Sequence, residues 1–272
     1  MITVRSVEEM RALGAAWRAA GKRVGFVPTM GFLHRGHTSL MALARPRCEL
    51  LVVSIYVNPL QFGPTEDLAR YPRDPEGDAE QCRAAGVDVL FLPDALYPDG
   101  FCTNVRVSGV TAAWEGPLRP GHFDGVATVV ARLFGIVQPA LAVFGEKDFQ
   151  QLAVIRAMTR DLALPVEIVP GPLVRDDDGV ALSSRNVYLS PEQRGRARSL
   201  HRAVALLRSG SPDAATRVAR GRDIIESDCI DYLCIVDPLT LEAVTTIDRP
   251  CRALVVARYG SVRLLDNAEV LP

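Results

Sequence analysis

Strand-like and helix-like segments alternate over much of the chain. Between residues 23 and 169, short apolar runs rich in β-branched residues, such as residues 50–57 and 87–92, are separated by amphipathic stretches, such as residues 125–137. Strands that are joined through helices run parallel, and the helices then cover both faces of their sheet. Because such crossovers are right-handed, the pattern predicts a doubly wound, Rossmann-like α/β domain.

The pattern changes near residue 187. Helix starts at Ser190 and Ser211 are followed by strand-like segments at residues 230–236, 251–257 and 262–265. We therefore predict two domains, a Rossmann-like domain over residues 1–187 and a smaller α+β domain over residues 188–272. Within the first domain, the irregular stretch between residues 93 and 120 is predicted to contain one short strand, at residues 104–107.

Charge and composition narrow the classes of function. The 272 residues carry 31 basic and 32 acidic side chains, for a net charge of −1, which gives no general attraction for nucleic acid. No apolar run is long enough to span a bilayer, and the start of the chain lacks an apolar signal core. We expect a cytoplasmic protein without a membrane or nucleic-acid partner. Six scattered cysteines without a CxxC pair argue against a zinc ribbon and favour reduced thiols.

The basic residues are unevenly divided, since only Lys22 and Lys147 are lysines and all the others are arginines. Arginine is a planar fork, whereas lysine is a compact point charge. A lysine retained in such a chain suggests a specific role. Lys147 follows the predicted strand at residues 141–144, where its ammonium group suits the oxygens of a transferring phosphate. Lys22 lies beside a helix end and is interpreted as solvated or as a partner of the helix dipole.

The segment PTMGFLHRGH, residues 28–37, leaves a predicted strand and opens a helix. Ligands of parallel sheets bind at the carboxyl ends of the strands, where helix N-termini direct free N–H groups at phosphates. His34 and His37 are therefore candidates for binding one anion. Alternatives are a zinc site, which lacks a nearby third ligand, two surface histidines, or a helix cap made by His37. The chain has neither a P-loop nor the GxGxxG fingerprint, so kinase-like and NAD-dependent functions lose their main support.

Three further segments hold candidate residues with open alternatives. Ser183, Ser184 and Arg185 offer two hydroxyls and a cation on a loop between the predicted domains, which suits a nucleotide lid or an ordinary polar turn. Gln61 ends a buried strand, where it could bind a polar substrate or serve the loop. Gln151 could do the same or complete a helix cap begun by Asp148.

Arg119 and His122 precede the helical stretch at residues 125–137. They could bind a carboxylate, cap that helix or contact a partner subunit. The acidic residues Asp74, Glu76 and Asp78 could hold a metal ion, but a solvated helix start is the favoured interpretation.

Taken in order, the segments PTMGFLHRGH, SIYVNPLQFG, YPRDPEGD, LRPGHFDGV, FGEKDFQQ and LSSRN resemble the pantoate–β-alanine ligase family, the pantothenate synthetases. This family belongs to the HIGH-motif nucleotidyltransferases. Residues 34–37 resemble its HIGH element, and residues 182–185 resemble its counterpart of the KMSKS loop. The resemblance is dense over residues 23–190. The alternatives are another nucleotidyltransferase of this superfamily and a non-catalytic nucleotide-sensing module.

The resemblance implies a two-step reaction. Pantoate reacts with ATP to give pantoyl adenylate and pyrophosphate, and β-alanine then displaces AMP to give pantothenate. The expected cofactors are ATP as co-substrate and Mg²⁺ carried with it, without a separate metal site in the protein. A homodimer is expected.

The resemblance also assigns roles residue by residue. Catalytic roles fall to His34, His37, Lys147 and Arg185, with His37 matching the proton donor. Gln61 matches a residue that binds pantoate and lies near β-alanine, and Gln151 matches one that binds pantoate. The residues matching ATP-binding positions are Met30, Gly31, Phe32, Leu33, His34, Arg35, Gly36, His37, Gly145, Glu146, Lys147, Asp148, Val174, Leu182, Ser183, Ser184 and Arg185.

The difference in shape between lysine and arginine leads to a prediction for residue 147. Lys147→Arg keeps the charge but changes its shape and reach, so we expect adenylate formation to slow by on the order of 10²–10³ while the fold stays intact. Pyrophosphate release in the presence of ATP and pantoate measures the rate, and circular dichroism checks the fold. Lys22→Arg is the matched control and should leave rate and stability unchanged. Near-normal activity of Lys147→Arg would show that positive charge alone suffices.

Overall fold

The computed structural model describes residues 1–64 and 66–272. The larger sheet contains β1 (Ile2–Val4), β2 (Val24–Thr29), β3 (Leu50–Ile55), β4 (Val89–Phe91), β5 (Leu141–Gly145) and β6 (Glu167–Gly171). Its strands are ordered β1-β4-β3-β2-β5-β6, and every pairing is parallel. The predicted Rossmann-like α/β class is confirmed.

Helices cover both faces of this sheet because neighbouring strand residues point to opposite sides. Phe26 belongs to the apolar core on one face of the sheet, whereas Val27 belongs to a separate apolar core on the other face. The helices are α1 (Val7–Ala19), α2 (Arg35–Ala44), α3 (Pro75–Ala84), the short α4 (Glu115–Leu118), α5 (His122–Val137) and α6 (Phe149–Asp161). In the part of the chain that the structure describes, no helix has the length and hydropathy that crossing a bilayer requires.

The C-terminal part builds a second, antiparallel sheet with its own core. It contains α7 (Pro191–Leu207), α8 (Ala214–Asp223), β7 (Cys229–Val236), β8 (Cys251–Tyr259) and β9 (Val262–Val270), with the strands ordered β7-β8-β9. The predicted helix start at Ser190 is confirmed, and Ser190 and Gln193 form a capping box at the start of α7. The predicted domain boundary at residue 187 falls between β6 and α7 and stays a prediction.

Two local expectations differ from the structure. The strand predicted at residues 104–107 is wrong: this stretch is irregular, and the Val105 N–H donates to Thr128 Oγ1 of α5 at 2.9 Å rather than to a neighbouring strand. Strand β1 is absent from the sequence-based expectation, because three residues are too few to show a pattern. It pairs with β4 at the edge of the sheet.

The order of the strands places one crevice where the chain reverses direction across the sheet. From β2 the chain proceeds through β3 to β4 on one side, and it then returns to place β5 on the other side of β2. Ligands of open α/β sheets bind outside the carboxyl ends of the strands at such a point. Segments that follow β2 and β5 therefore face each other across this crevice.

Buried polar contacts join the two sheets. Glu115, in α4, accepts hydrogen bonds from both terminal nitrogens of Arg263 in β9 and from the Tyr232 hydroxyl in β7. The Trp114 indole N–H donates to the Leu241 carbonyl at 2.8 Å. Phe149, at the start of α6, packs into a small apolar cluster with residues of β7 and β8. The second sheet therefore lies against the same end of the larger sheet that forms the crevice.

Two glycines test the packing of α1 against α5. A methyl group at Gly14 would lie 2.6 Å from the Val137 carbonyl oxygen and 2.9 Å from that of Ile136, whereas Gly135 has open space around it. We expect Gly14→Ala to lower the free energy of unfolding by about 1–3 kcal/mol through overpacking. The matched variant Gly135→Ala should raise it by about 0.5–1 kcal/mol, since alanine is the better helix former. Urea unfolding measures both changes in free energy. If the two substitutions changed it in the same direction, the close approach of the helices would be contradicted.

Candidate functional site

A cavity of about 240 Å³ opens at the carboxyl edge of the larger sheet, where β2 and β5 are neighbours. Its walls come mainly from segments that follow strands: residues 30, 34, 36 and 37 after β2, residues 58, 61 and 62 after β3, and residues 147, 148 and 151 after β5. Residues 172–174 after β6 and residues 182–185 complete it. The parallel sheet thus gathers into one site segments that are far apart in sequence.

His34 and His37 cap the helix that they begin. His34 Nδ1 accepts the Gly36 N–H at 3.1 Å, and His37 Nδ1 accepts the His34 N–H at 3.3 Å, so the two rings form a reciprocal capping box. Because each Nδ1 is an acceptor, each neutral ring carries its proton on Nε2. Capping and ligand binding therefore coexist, since both rings keep an N–H donor beside the cavity.

Burial keeps both imidazoles neutral. Desolvation, with the charge of Lys147, lowers the pKa of His34 to about 4. Desolvation, with the charge of His34, lowers the pKa of His37 to about 3. The ring centroids are only 4.1 Å apart, so two imidazolium ions would repel each other strongly. Near neutral pH the pair therefore offers hydrogen-bond donors without adding positive charge.

Asp78 holds the loop that leads to these histidines. Its carboxylate accepts the N–H of Phe32 at 2.9 Å and the N–H of Leu33 at 2.6 Å, and the side chain is buried. Burial raises the pKa of Asp78 in spite of these two donors. Phe32 has φ of 52°, a left-handed conformation that costs energy outside glycine, and the contact to Asp78 offsets that cost. The favoured interpretation of Asp78 as part of a solvated helix start is therefore wrong.

Lys147 supplies positive charge to the cavity wall. It lies in the 3₁₀ turn Glu146–Asp148 that follows β5, and its Nζ is 3.5 Å from Asp148 Oδ1. Burial raises the pKa of Asp148, but the charges of Lys147 and Arg185 outweigh that effect and bring it below its ordinary value. Asp148 is therefore ionised and stabilises the ammonium group of Lys147.

Arg185 already has a partner in the protein. Its guanidinium group binds the Asp67 carboxylate through two hydrogen bonds of 2.8 Å and lies 5.5 Å from the centre of the Tyr71 ring. Ser184 Oγ donates to the Phe32 carbonyl, so this loop also contacts the segment after β2. An incoming anion must compete with Asp67 for Arg185.

A chain of hydrogen bonds orients the Gln61 amide. Asn58 Nδ2 donates to Gln61 Oε1 at 3.1 Å, and the Tyr97 hydroxyl donates to Asn58 Oδ1 at 2.8 Å. Gln61 Nε2 lies 3.1 Å from the Met30 sulfur, a weak acceptor. The NH₂ group is therefore available to a better acceptor in the cavity.

The comparisons with known proteins agree with this geometry. The family model described as pantoate-beta-alanine ligase matches residues 2–269. Curated relatives include pantothenate synthetases from Thermus thermophilus and Rhizorhabdus wittichii. Each is 51% identical to this chain, and each match covers 100% of this chain. The match covers 100% of the Thermus thermophilus protein and 99% of the Rhizorhabdus wittichii protein.

Solved structures agree over the same length. A pantothenate synthetase from Thermus thermophilus has a TM-score of 0.94 at 50% identity, with both chains covered fully. The pantoate-beta-alanine ligase from Francisella tularensis has a TM-score of 0.82 at 30% identity, covering 98% of this chain and 97% of its own. The chain belongs to the pantoate-beta-alanine ligase family. It is thus a ligase that forms a carbon–nitrogen bond.

In the ligase, Arg119 and His122 line the cavity and are hydrogen-bonded to each other. Arg119 binds Glu66 through hydrogen bonds of 2.6 and 2.8 Å and donates to His122 Nε2 at 3.0 Å. His122 Nδ1 then donates to the Gln61 carbonyl at 2.8 Å. Burial and the charge of Arg119 lower the pKa of His122 to about 4, so it is neutral. These residues fix the backbone of Gln61, a role that the sequence did not suggest.

The cavity brings together most of the predicted site. It is lined by the four residues given catalytic roles, by Gln61 and Gln151, and by the ATP-binding candidates Met30, Gly36, Gly145, Asp148, Val174, Leu182, Ser183 and Ser184. The candidates outside this lining are Gly31, Phe32, Leu33, Arg35 and Glu146. Of these, Leu33 is in the core, Arg35 pairs with Asp176 at 3.0 Å and Glu146 contacts Arg252. The role of each residue stays a prediction.

The depressed pKa of His37 predicts a pH dependence of stability. An unfolded chain binds a proton on this histidine below about pH 6.5, whereas the folded ligase does not do so until about pH 3. The free energy of unfolding therefore falls as the pH falls through this range. We expect His37→Gln to make the dependence shallower by roughly one proton, because glutamine at this position keeps the capping box but cannot titrate.

Urea unfolding of parent and variant between about pH 4 and 8 measures the effect. Titrating carboxylates contribute equally to the free energy of unfolding of both proteins, so their effect cancels in the difference between parent and variant. This difference should be constant above about pH 6.5. If the free energies of unfolding of parent and variant changed in parallel with pH down to pH 4, His37 would titrate normally in the folded ligase.

Proposed function

We propose that this ligase joins pantoate to β-alanine through a pantoyl adenylate, with ATP as co-substrate and AMP and pyrophosphate as products. A carboxylate oxygen of pantoate attacks the α-phosphorus of ATP, and the bond to pyrophosphate breaks. The unprotonated amine of β-alanine then attacks the acyl carbon, the bond to AMP breaks, and the nitrogen loses a proton. The Francisella tularensis relative, described as complexed with beta-gamma ATP and beta-alanine, supports two of the substrates.

One observation carries the proposal: neutral imidazole donors, a lysine and two glutamine amides, of which that of Gln61 is oriented by Asn58, share one cavity. The attack of a carboxylate on a triphosphate brings two anions together, so the site must stabilise charge where it grows in the transition state. Lys147 provides a compact charge, and the Nε2–H groups of His34 and His37 provide fixed dipoles. Fixed donors cost little reorganisation during the reaction.

Arg185 and Lys147 have different roles in this scheme. Lys147 keeps only a 3.5 Å contact to Asp148, so its charge is available to the phosphates throughout. Arg185 is bound to Asp67 by two hydrogen bonds and must exchange this partner for phosphate oxygens. We assign Lys147 to the α-phosphate of the adenylyl group that is transferred. We assign Arg185 to the departing pyrophosphate, which carries the larger charge and can compete with a carboxylate.

Gln61 and Gln151 are assigned to pantoate. Amide groups bind a carboxylate and hydroxyls without neutralising the charge of the nucleophile, which keeps the carboxylate reactive. The hydrogen bond from Asn58 directs the Gln61 NH₂ group away from the protein backbone and into the cavity. A donor fixed in this way loses little freedom when pantoate binds.

Mg²⁺ would accompany the phosphates of ATP. The described residues include no group of three His, Cys, Asp or Glu side chains that could hold a metal ion, and Asp148 is the only carboxylate among those that line the cavity. This donor set fits an ion bound mainly by phosphate oxygens and water, with Asp148 as the protein's contribution. The ion would supply further neutralisation of the phosphate charge. The homodimer and the cytoplasmic location stay predictions.

The proposed function predicts that AMP formation depends on all three substrates. The purified protein is incubated with ATP, pantoate and β-alanine, and AMP and pyrophosphate are followed separately. With ATP and pantoate alone, we expect one equivalent of pyrophosphate per site and little AMP, because the adenylate waits for the amine. AMP formed without pantoate would favour another nucleotidyltransferase, and ATP binding without pyrophosphate release would favour a nucleotide-sensing module.

Gln61→Ala tests the assignment of pantoate within the same assay. Loss of a hydrogen bond to a charged group costs about 1.5–3 kcal/mol, so the KM for pantoate should rise roughly 10- to 100-fold. The KM for ATP is the internal control and should change little. A larger change for ATP than for pantoate would remove Gln61 from the carboxylate end of the cavity.

A further inference from the structure

Strand β9 of the small sheet places two adjacent polar residues against the segment of Arg175 and the turn that carries Lys147. Asp266 accepts hydrogen bonds of 2.6 and 2.8 Å from Arg175, which lies in the segment between β6 and the loop of Ser183. Asn267 donates from Nδ2 to the carbonyl oxygens of Glu146 and Lys147, each at 2.9 Å. Both side chains are 3% exposed, so these contacts are shielded from water.

The orientation of the Asn267 amide is fixed by its other end. Oδ1 accepts two hydrogen bonds from Arg252, one of them at 2.8 Å from Nε. The Arg252 guanidinium group also contacts the Glu146 carboxylate at 3.3 Å and lies 4.4 Å from the centre of the Phe149 ring. Since arginine can only donate, the NH₂ group of Asn267 must face the two carbonyls, and each of its N–H bonds serves one of them.

The turn that carries Lys147 lacks a side-chain anchor of its own. Neither Gly145, which precedes this turn, nor Asp148, which precedes α6, makes a side-chain capping hydrogen bond. The hydrogen bonds from Asn267 therefore fix the peptide groups on both sides of the Lys147 α-carbon, from a strand more than a hundred residues away in sequence.

We propose that Asn267 is a positioning residue for Lys147. It holds the backbone of residues 146 and 147 so that the Lys147 ammonium group meets the phosphoryl group in the transition state. The argument rests on the proposed adenylation, in which Lys147 acts on ATP. A misplacement of about 1 Å in a reacting site can lower the rate about 100-fold, so loss of two hydrogen bonds from this turn should act mainly on kcat.

Asn267→Asp is the variant that tests the two donated hydrogen bonds most directly. It keeps the shape and the acceptor for Arg252, but it turns a second oxygen toward two carbonyl oxygens and so removes both donated hydrogen bonds. We expect kcat for pyrophosphate release to fall roughly 10- to 100-fold, with the KM for pantoate nearly unchanged. Asn267→Ala should show the same pattern without the added charge.

Ser199→Ala is the matched control in the same part of the chain. Ser199 is buried in α7, where its hydroxyl accepts the Glu226 N–H at 2.9 Å and makes no contact with residues 146–148. This variant should lower the melting temperature while kcat stays near that of the parent. Equal losses of kcat in Ser199→Ala and Asn267→Ala, compared at the same distance below their melting temperatures, would overturn the proposal.

A double-mutant cycle separates positioning from a general structural role. If Asn267 acts through Lys147, Asn267→Ala should cost far less activity in a Lys147→Ala background than in the parent. Effects that multiply would show that the two residues act independently, and the proposal would fail.

Hydrogen–deuterium exchange of the unliganded protein gives a readout that needs no activity. Amides of residues 146–150 should exchange faster in Asn267→Ala than in the parent, and Ser199→Ala should leave them unchanged. Unaltered exchange in Asn267→Ala would overturn the proposal even if the parent were fully active. A parent that releases no pyrophosphate with pantoate would instead overturn the proposed function.

Discussion

The site depends on one constraint, the parallel arrangement of all six strands in the larger sheet. Parallel strands end at the same edge, so the segments that follow β2, β3, β5 and β6 meet there whatever their separation in sequence. The reversal of chain direction at β2 adds a crevice between β2 and β5. The sheet brings the segments to this crevice, and the conformation of each loop then positions the individual side chains.

Within that frame, the distribution of charge differs from what the sequence indicates. Six basic or imidazole side chains line the cavity, but three of them are neutral histidines and two are arginines paired with carboxylates: Arg119 with Glu66 and Arg185 with Asp67. Lys147 is left as the main source of positive potential, partly balanced by Asp148. A cavity of this kind binds a triphosphate through many donors and one or two cations, and it avoids the cost of an unpaired buried charge. This balance makes the shape and position of the lysine more important than its charge alone.

Much of the fold and the candidate site could be predicted from the sequence because both rest on local patterns. Apolar periodicity indicated the strands and helices, and the residues that follow β2 and β5 were recognisable as polar segments after strands. Contacts between distant segments were not predictable. Asp78 was interpreted as a solvated helix residue because its sequence neighbours give no sign of its partners. In the structure its carboxylate accepts the N–H groups of Phe32 and Leu33, more than forty residues away. A helix cap made by His37 was one of the alternatives, but the reciprocal cap with His34 as N-cap was not predicted, since histidine is an uncommon residue for that role.

The contacts of β9 indicate that the small sheet belongs to the site. The pairs of Arg263 with Glu115 and of Arg175 with Asp266 each join the small sheet to a segment outside it, and Glu115 and Asp266 are buried. Leaving one partner of such a pair unpaired in the protein interior costs roughly 3–5 kcal/mol. The relative placement of the two sheets is therefore set by the protein's own charge pairs. Because Asn267 lies beside Asp266 in the same strand, its hydrogen bonds couple the backbone of Lys147 to that placement. The position of the lysine that we propose to be catalytic therefore depends partly on the C-terminal sheet.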